Sequence, residues 1–376
     1  MDGVTFSIDQ PSNFAVSSHI VRVSGWIMNR AGEPAENIQL LLNDEPAAAA
    51  TRALRLDVGA AWPGKPLAAN SGFFGDVVLD PKAPPPVLSV RAVFSDGEHT
   101  VSAGKLSLPA SYSAPARPAR RRTYQLASLY SPEARDAVMN AGRGVAHRVI
   151  DGVPHFHATG DAPLIRIAEH GSTHGYPNQT LDLIKALSGD QIFLDLGCGI
   201  RPSENILPNG IYLDAVHFPG VDIVNSAPNL PFKDQSIDLV VSHAVFEHLR
   251  DPRQMARELW RILKPGGTAY IDTAFMQPFH GDPSHYFNMT TSGLRAVFEG
   301  FEFLWLGVSP WQTPSWGWRM QLDAISGFVT NERWAKTLAH LNQELALHGH
   351  ELDETLGPIG RDIIAAGVSA HVRKPA

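Results

Sequence analysis

The stretch FLDLGCGIRP, Phe193 to Pro202, decides the fold. An apolar run contains one acid, Asp195, and two glycines follow it, Gly197 and Gly199. This predicts a buried strand that turns sharply, with backbone able to come close to a ligand. A dinucleotide fingerprint carries a third glycine that lets helix and strand pack over a pyrophosphate; here Arg201 stands instead. Asp195, two residues before the first glycine, would repel a pyrophosphate and suits a cationic amine. Asp214 follows Gly199 too closely for a full first helix, yet it ends the next strand, where an acid accepts from ribose hydroxyls. The ligand that fits has a ribose and an amine and no phosphates.

Outward from this stretch, helical and extended patterns alternate. Residues 177–189 read as a helix and 191–196 as a strand. Strands follow at 210–214, 221–225 and 236–242. PRQMARELWRILKPGG (252–267) reads as an amphipathic helix closed by a Pro-Gly-Gly turn, before a fifth strand at 268–273. A helix at 291–300, a strand at 301–308, helices across 319–347 and a strand at 367–374 complete the pattern. Such alternation predicts an α/β fold with an open, mostly parallel sheet, whose ligands bind at the carboxyl ends of the strands.

Residues 1–110 have a different grammar. Stretches 19–29, 37–44, 52–58, 72–80, 86–94 and 99–108 run or alternate apolar between turn residues, with no helical period. About seven strands at this spacing predict an antiparallel β-sandwich domain. PASYSAPARPARRRT (109–123) is rich in Pro, Ala and Arg, so 111–123 reads as a solvated linker and 124–376 as the second domain. Residues 131–143 read as a helix with Ser131 as N-cap. Asp151-Gly152 reads as a two-residue hairpin turn pairing Ile150 with Val153, in a partly exposed hairpin whose histidines do not converge.

Composition narrows the function. The 376 residues carry a formal net charge of −7, which argues against charge-driven nucleic-acid binding. Cys198 is the only cysteine, so neither a disulfide framework nor a cysteine zinc site is available. No apolar run nears the roughly 18 residues of a membrane span. The first residues lack the pattern of a signal peptide, and the expected location is the cytoplasm. The oligomeric state is not legible.

The order and spacing of several short motifs carry more. LDLGCG, the block YLDAVHFPGVDIVNSAPNLPFKDQSIDLVVSHAVFEHLRDP and ELWRILKPGG together resemble a class I S-adenosylmethionine-dependent methyltransferase, from about residue 190 to about 308. The short IRPSENILPNG connection resembles a branch with a clipped first helix. The resemblance implies a Rossmann-like sheet with S-adenosyl-L-methionine as cofactor. It implies that Asp195 holds the methionine amine and that Gly197 and Gly199 give backbone access. It further implies that Asp214 binds the ribose and Ala215 lies beside the adenine. Ser226 and Ala227 would line the adenine's far side, with Ser242 and His243 beneath the cofactor. Arg201 either pairs with the methionine carboxylate or faces solvent.

Methyl transfer to a hydroxyl gains from a general base, most often His. FHGDPSHYF offers His280 first and His285 second; His248 in VFEHL is the third candidate and has a structural alternative. No metal is expected, because VVSHAVFEH lacks a pair of acids at the end of the fourth strand. Trp311, Trp316 and Trp318 would line an acceptor pocket or pack on neighbouring helices. Together the β-sandwich, basic linker and clipped domain are similar to bacterial methyltransferases of surface glycans. The leading expectation is O-methylation of a sugar, a surface-polysaccharide precursor or a related small hydroxylated acceptor. Alternatives are N- or C-methylation of a secondary metabolite, or a non-catalytic glycan- or protein-binding module.

Overall fold

The structure, a computed structural model, describes residues 3–80, 82–109, 126–132, 134, 147–150, 152–156, 175–201, 207–225, 229–281 and 285–376. The linker at 111–123 and nearly all of the helix expected at 131–143 lie outside these residues; within it, Ser131 Oγ accepts from Ala134 N at 3.1 Å. The chain divides into two compact units. One comprises Met1–Arg120, Asp136–Gly171 and Asp214–Ala227; the other comprises Arg121–Arg135, Ser172–Leu213 and Pro228–Ala376.

In the first unit, eight strands precede residue 110 among the described residues: β1 (Val4–Gln10), β2 (Ile20–Asn29), β3 (Asn37–Leu42), β4 (Glu45–Ala49), β5 (Thr51–Ala53), β6 (Gly72–Val78), β7 (Val87–Phe94) and β8 (Gly97–Lys105). They form two antiparallel four-stranded sheets, ordered β1-β2-β6-β5 and β4-β3-β7-β8. One hydrophobic core draws on both, with Val21, Val23 and Phe73 from the first and Leu40, Leu88 and Val90 from the second. The burial follows period-two alternation: in β2, Val21 and Val23 are buried and Arg22 between them is exposed. The strand expected at 52–58 is a correction. Only Thr51–Ala53 is extended, and a short helix α1 (Leu56–Ala61) follows, packed on the turn at Ala68–Asn70.

Strands β9 (His147–Ile150) and β10 (Val153–Phe156) pair antiparallel with Ile150 opposite Val153 and His155 opposite Arg148. The hairpin is partly exposed: Val149 is 48% exposed, whereas every residue of β10 is buried. β10 is covered because it also pairs in parallel with β13 (Ile223–Asn225), His155 lying opposite Val224. His155 Nε2 lies 3.1 Å from His217 Nδ1.

The second unit holds the elements read outward from Phe193. They are α2 (Asn178–Lys185), β11 (Phe193–Leu196), β12 (Gly210–Asp214), β14 (Ile237–His243), α3 (Pro252–Ile262), β15 (Leu263–Ala274), α4 (Thr291–Val297) and β16 (Glu302–Gly307). Helices α5 (Pro314–Ser326), α6 (Glu332–Thr355) and α7 (Gly357–Ile364) precede the last strand, β17 (Gly367–Arg373). Strands run in the order β16-β17-β15-β14-β11-β12, with β12, β11, β14 and β15 parallel and β17 antiparallel to both neighbours. All four residues of β11 are buried, as a central parallel strand requires. Helix α3 starts as its sequence dictates, with Pro252 at the first position and Asp251 Oδ1 accepting from Gln254 N. It ends earlier than expected, at Ile262, because Leu263 already pairs with Ile237 of β14. Among the described residues no helix is long and apolar enough to cross a membrane.

Candidate active site

Strands β11, β14 and β15 end side by side, with Leu196 opposite Ser242 and His243 opposite Asp272. At the end of β11 the backbone takes left-handed values at Gly197 (φ 73°) and Gly199 (φ 59°). Gly197 N and Cys198 N donate to Leu213 O of β12 at 2.8 and 3.1 Å. A Cβ on Gly197 would fall 2.1 Å from Val245 Cγ2, so the residue must be glycine for reasons of both space and φ. The end of β14 is also unusual. Ala244 has a φ of 54°, a costly conformation for a residue with a Cβ, and its N–H donates to Asp272 O.

Asp195 and Arg201 meet behind this turn. Arg201 Nε and Nη2 donate to Asp195 Oδ2 at 2.9 and 2.7 Å, and Tyr176 Oη donates to the same oxygen at 2.5 Å. The guanidinium carbon lies 4.4 Å from the centre of the Tyr176 ring. Burial, and then the charge of Asp195, push the Tyr176 hydroxyl far above the ordinary range. Burial alone would lower Arg201, but Asp195 and Tyr176 outweigh it and raise it. The solvent-facing alternative for Arg201 is thereby corrected: its side chain is 3% exposed.

Ser242 is fully buried, and its Oγ has no hydrogen-bond partner among the described residues. His243 lies between Thr180 Oγ1, 3.1 Å from its Nε2, and Asp272 Oδ2, 3.5 Å from its Nδ1. Asp272 also accepts from Trp311 Nε1 and, at 2.6 Å, from Gln312 Nε2. Trp311 is thus held inward, while Trp316 and Trp318 are partly exposed on α5. In the other unit, Asp214 ends β12 and its Oδ1 accepts from Val216 N at 2.9 Å; Ala215 beside it is exposed. Ser226 and Ala227 lie outside the described residues.

The three candidate histidines come together. Ring centres of His280 and His285 are 4.4 Å apart, and His248 lies 5.2 and 5.8 Å from them. Tyr286 N and Phe287 N donate to Glu247 O, which ties the loop after β15 to the turn after β14. His285 is used within its own loop: Nδ1 accepts from His280 N, so Nε2 carries the proton and faces Phe287 O and Asn288 Oδ1. Burial first, and then the neighbouring His280, lower its pKa. His280 Nδ1 lies 2.9 Å from Pro278 O and must donate to it, which leaves the Nε2 lone pair for other work. Buried Glu247 joins this group: Oε2 accepts from Thr273 Oγ1 at 2.9 Å, and burial raises its carboxyl above the usual range. Glu247, His248 and His280 each bring one donor atom, all within 4.8 Å of one another.

Sequence reading did not anticipate Tyr176, Asp272 or Ala244. Tyr176 and Asp272 sit far in the chain from the groups they serve, and Ala244 is unusual in backbone only.

Residues 205–271 match the family of methyltransferase domains. An uncharacterized methyltransferase of Mycobacterium tuberculosis is 36% identical over 83 residues, 21% of this chain and 33% of the relative. An uncharacterized methyltransferase of Mycobacterium sp. (strain KMS) is 40% identical over 84 residues, 22% of this chain and 32% of the relative. The chain thus spans about a third of the length of the curated relatives it matches. Among solved structures, Haemonchus contortus phosphoethanolamine N-methyltransferase 2 in complex with S-adenosyl-L-methionine aligns at 16% identity and a TM-score of 0.35, covering 54% of each chain. An S-adenosylmethionine-dependent methyltransferase from Mesorhizobium loti aligns at 14% identity and a TM-score of 0.30, covering 51% of this chain and 96% of its own. The segment that resembles a methyltransferase domain, residues 205–271, holds β12 to most of β15.

Proposed function

We propose that the chain is an S-adenosylmethionine-dependent methyltransferase that O-methylates a sugar, a surface-glycan precursor or a related small hydroxylated acceptor in the cytoplasm. One observation carries the methyltransferase reading. The family-matched segment supplies the strands that flank β11, and β11 ends in the glycine turn that no larger residue could occupy.

In this reading the cofactor is S-adenosylmethionine. Gly197 and Gly199 are assigned to backbone approach, Asp214 to the ribose, Ala215, Ser226 and Ala227 to the adenine, and Ser242 and His243 to further cofactor contacts. Asp195 is assigned to the ammonium and Arg201 to the carboxylate of the methionine head, contacts that require their closed ion pair to open towards the cofactor. The cofactor supplies an electrophilic methyl on a sulfonium. The protein's part is to align the acceptor and exclude water. His280 is the group through which the acceptor hydroxyl is activated, since its Nε2 is the ring nitrogen without a hydrogen bond among the described residues. Residues 1–110 act as a β-sandwich that holds a glycan or partner, joined through the linker at 111–123 to the catalytic domain at 124–376.

Calorimetric titration with S-adenosylmethionine and S-adenosylhomocysteine tests the reading, and absence of binding at high micromolar ligand would sink it. Incubation with methyl-labelled cofactor and fractionated lysate identifies the acceptor. A label on nitrogen or carbon would overturn the O-methylation reading alone.

A further inference from the structure

We propose that Glu247, His248 and His280 form a site for one divalent transition-metal ion of zinc's type, with a fourth position open to an oxygen ligand. Two imidazoles and one carboxylate suit such an ion, whereas magnesium and calcium prefer oxygen donors throughout. The three donor atoms already lie within 4.8 Å of one another.

The surroundings point the same way. Glu247 is fully buried and its Oε2 is anchored by Thr273, but its Oε1 is buried with no hydrogen-bond partner among the described residues. A carboxylate oxygen left so is costly, and a cation satisfies it. His280 donates Nδ1–H to Pro278 O, the arrangement by which a metal-bound histidine is oriented through its other nitrogen. His285 fixes the backbone N–H of His280 and serves as a positioning residue. Space is kept for the His248 ring by Gly281, whose φ is 96°; a Cβ there would lie 2.3 Å from His248 Cε1.

Three protein donors leave a tetrahedral ion one open position. This consequence, unlike the metal site itself, rests on the methyltransferase reading: the acceptor hydroxyl occupies that position and becomes acidic on the ion. Its proton passes to solvent water. The oxygen lone pair then forms the O–CH3 bond, while the C–S bond breaks with its electron pair returning to sulfur as a neutral thioether. His280 therefore activates the acceptor through the ion and does not take the proton itself.

The full chain, stripped with chelator and dialysed, is titrated with zinc sulfate by calorimetry. Co2+ then replaces zinc to report ligation through its visible absorption. The expected result is one ion per chain, with His280→Gln and Glu247→Gln each weakening binding by at least ~10-fold. Circular dichroism of the same preparations checks folding, S-adenosylmethionine titration reads cofactor binding separately, and His280→Gln, on a loop, serves where Glu247→Gln fails to fold. No zinc uptake by the wild type, or equal affinity in the His280→Gln protein, overturns the metal site. Cofactor binding without zinc uptake sinks this proposal alone. Zinc uptake lost in the variants, without cofactor binding by any of them, keeps the site and sinks the methyltransferase reading.

Discussion

Arg201 and Asp195 form an ion pair closed to solvent, Nη2 to Oδ2 at 2.7 Å, with their side chains 3% and 1% exposed. A buried pair is weak support for stability as a unit, yet losing one partner strands the other charge without water. Arg201→Ala should therefore cost about 3–5 kcal/mol, read as a lower midpoint in chemical denaturation. The double variant Asp195→Ala with Arg201→Ala should cost much less than the sum of the two single changes. Additive losses would show that the pair is not coupled.

This pair marks where the sequence stops being legible. FLDLGCG shows a buried strand and a tight turn, because both are written in adjacent residues. That Arg201 folds back on Asp195 is not written there, since a charged residue after a glycine turn ordinarily goes to solvent. The same limit hid the meeting of Glu247 and His280. Neither stretch alone brings Glu247, His248 and His280 together, and only the parallel pairing of β14 with β15 sets their following segments side by side. Helix α1 was missed for a local reason. RALRLDV alternates well enough to pass for a strand, but pairing with β6 ends at Ala53. By contrast the open, mostly parallel sheet followed from strand-helix alternation, and the hairpin register from Asp151-Gly152.

Gly197→Ala tests the turn directly. The new Cβ meets Val245 Cγ2 at 2.1 Å, and a residue with a Cβ pays about 1–2 kcal/mol for the left-handed backbone. Overpacking adds roughly 1–3 kcal/mol. The variant should lose stability by both routes and should lose measurable cofactor binding. Pairing it with Val245→Ala removes the clash but leaves the backbone cost, so the double variant should regain part of the stability. No recovery would mean that Val245 is not what confines the turn.

Asp214→Ala tests the ribose contact. Loss of hydrogen bonds to a charged acceptor costs about 1.5–3 kcal/mol, or roughly 10- to 150-fold in dissociation constant. Calorimetry with S-adenosylhomocysteine reads this directly. Because Asp214 Oδ1 also accepts from Val216 N, Asp214→Asn is the control: it keeps an acceptor for that turn. An affinity unchanged in the alanine variant would remove Asp214 from the binding site.

His371 gives the fold a dependence on pH. It sits within β17, between Tyr270 of β15 and Trp305 of β16, and its Nε2 is buried without a partner among the described residues. Burial, and then the nearby Arg373, lower its pKa below 6.5. The unfolded chain, whose histidine keeps the ordinary value, therefore takes up a proton at a pH where the folded chain does not. Stability rises with pH through that window and is lost as pH falls below about 6.5. His371→Leu fills the site with no titrating group. The unfolding free energy of the wild type relative to this variant should therefore fall steadily on going from pH 7 to about pH 5. Carboxylates elsewhere titrate alike in both proteins and cancel in the difference. A difference that stays flat across this range would mean that His371 finds an acceptor and carries its proton in the folded state.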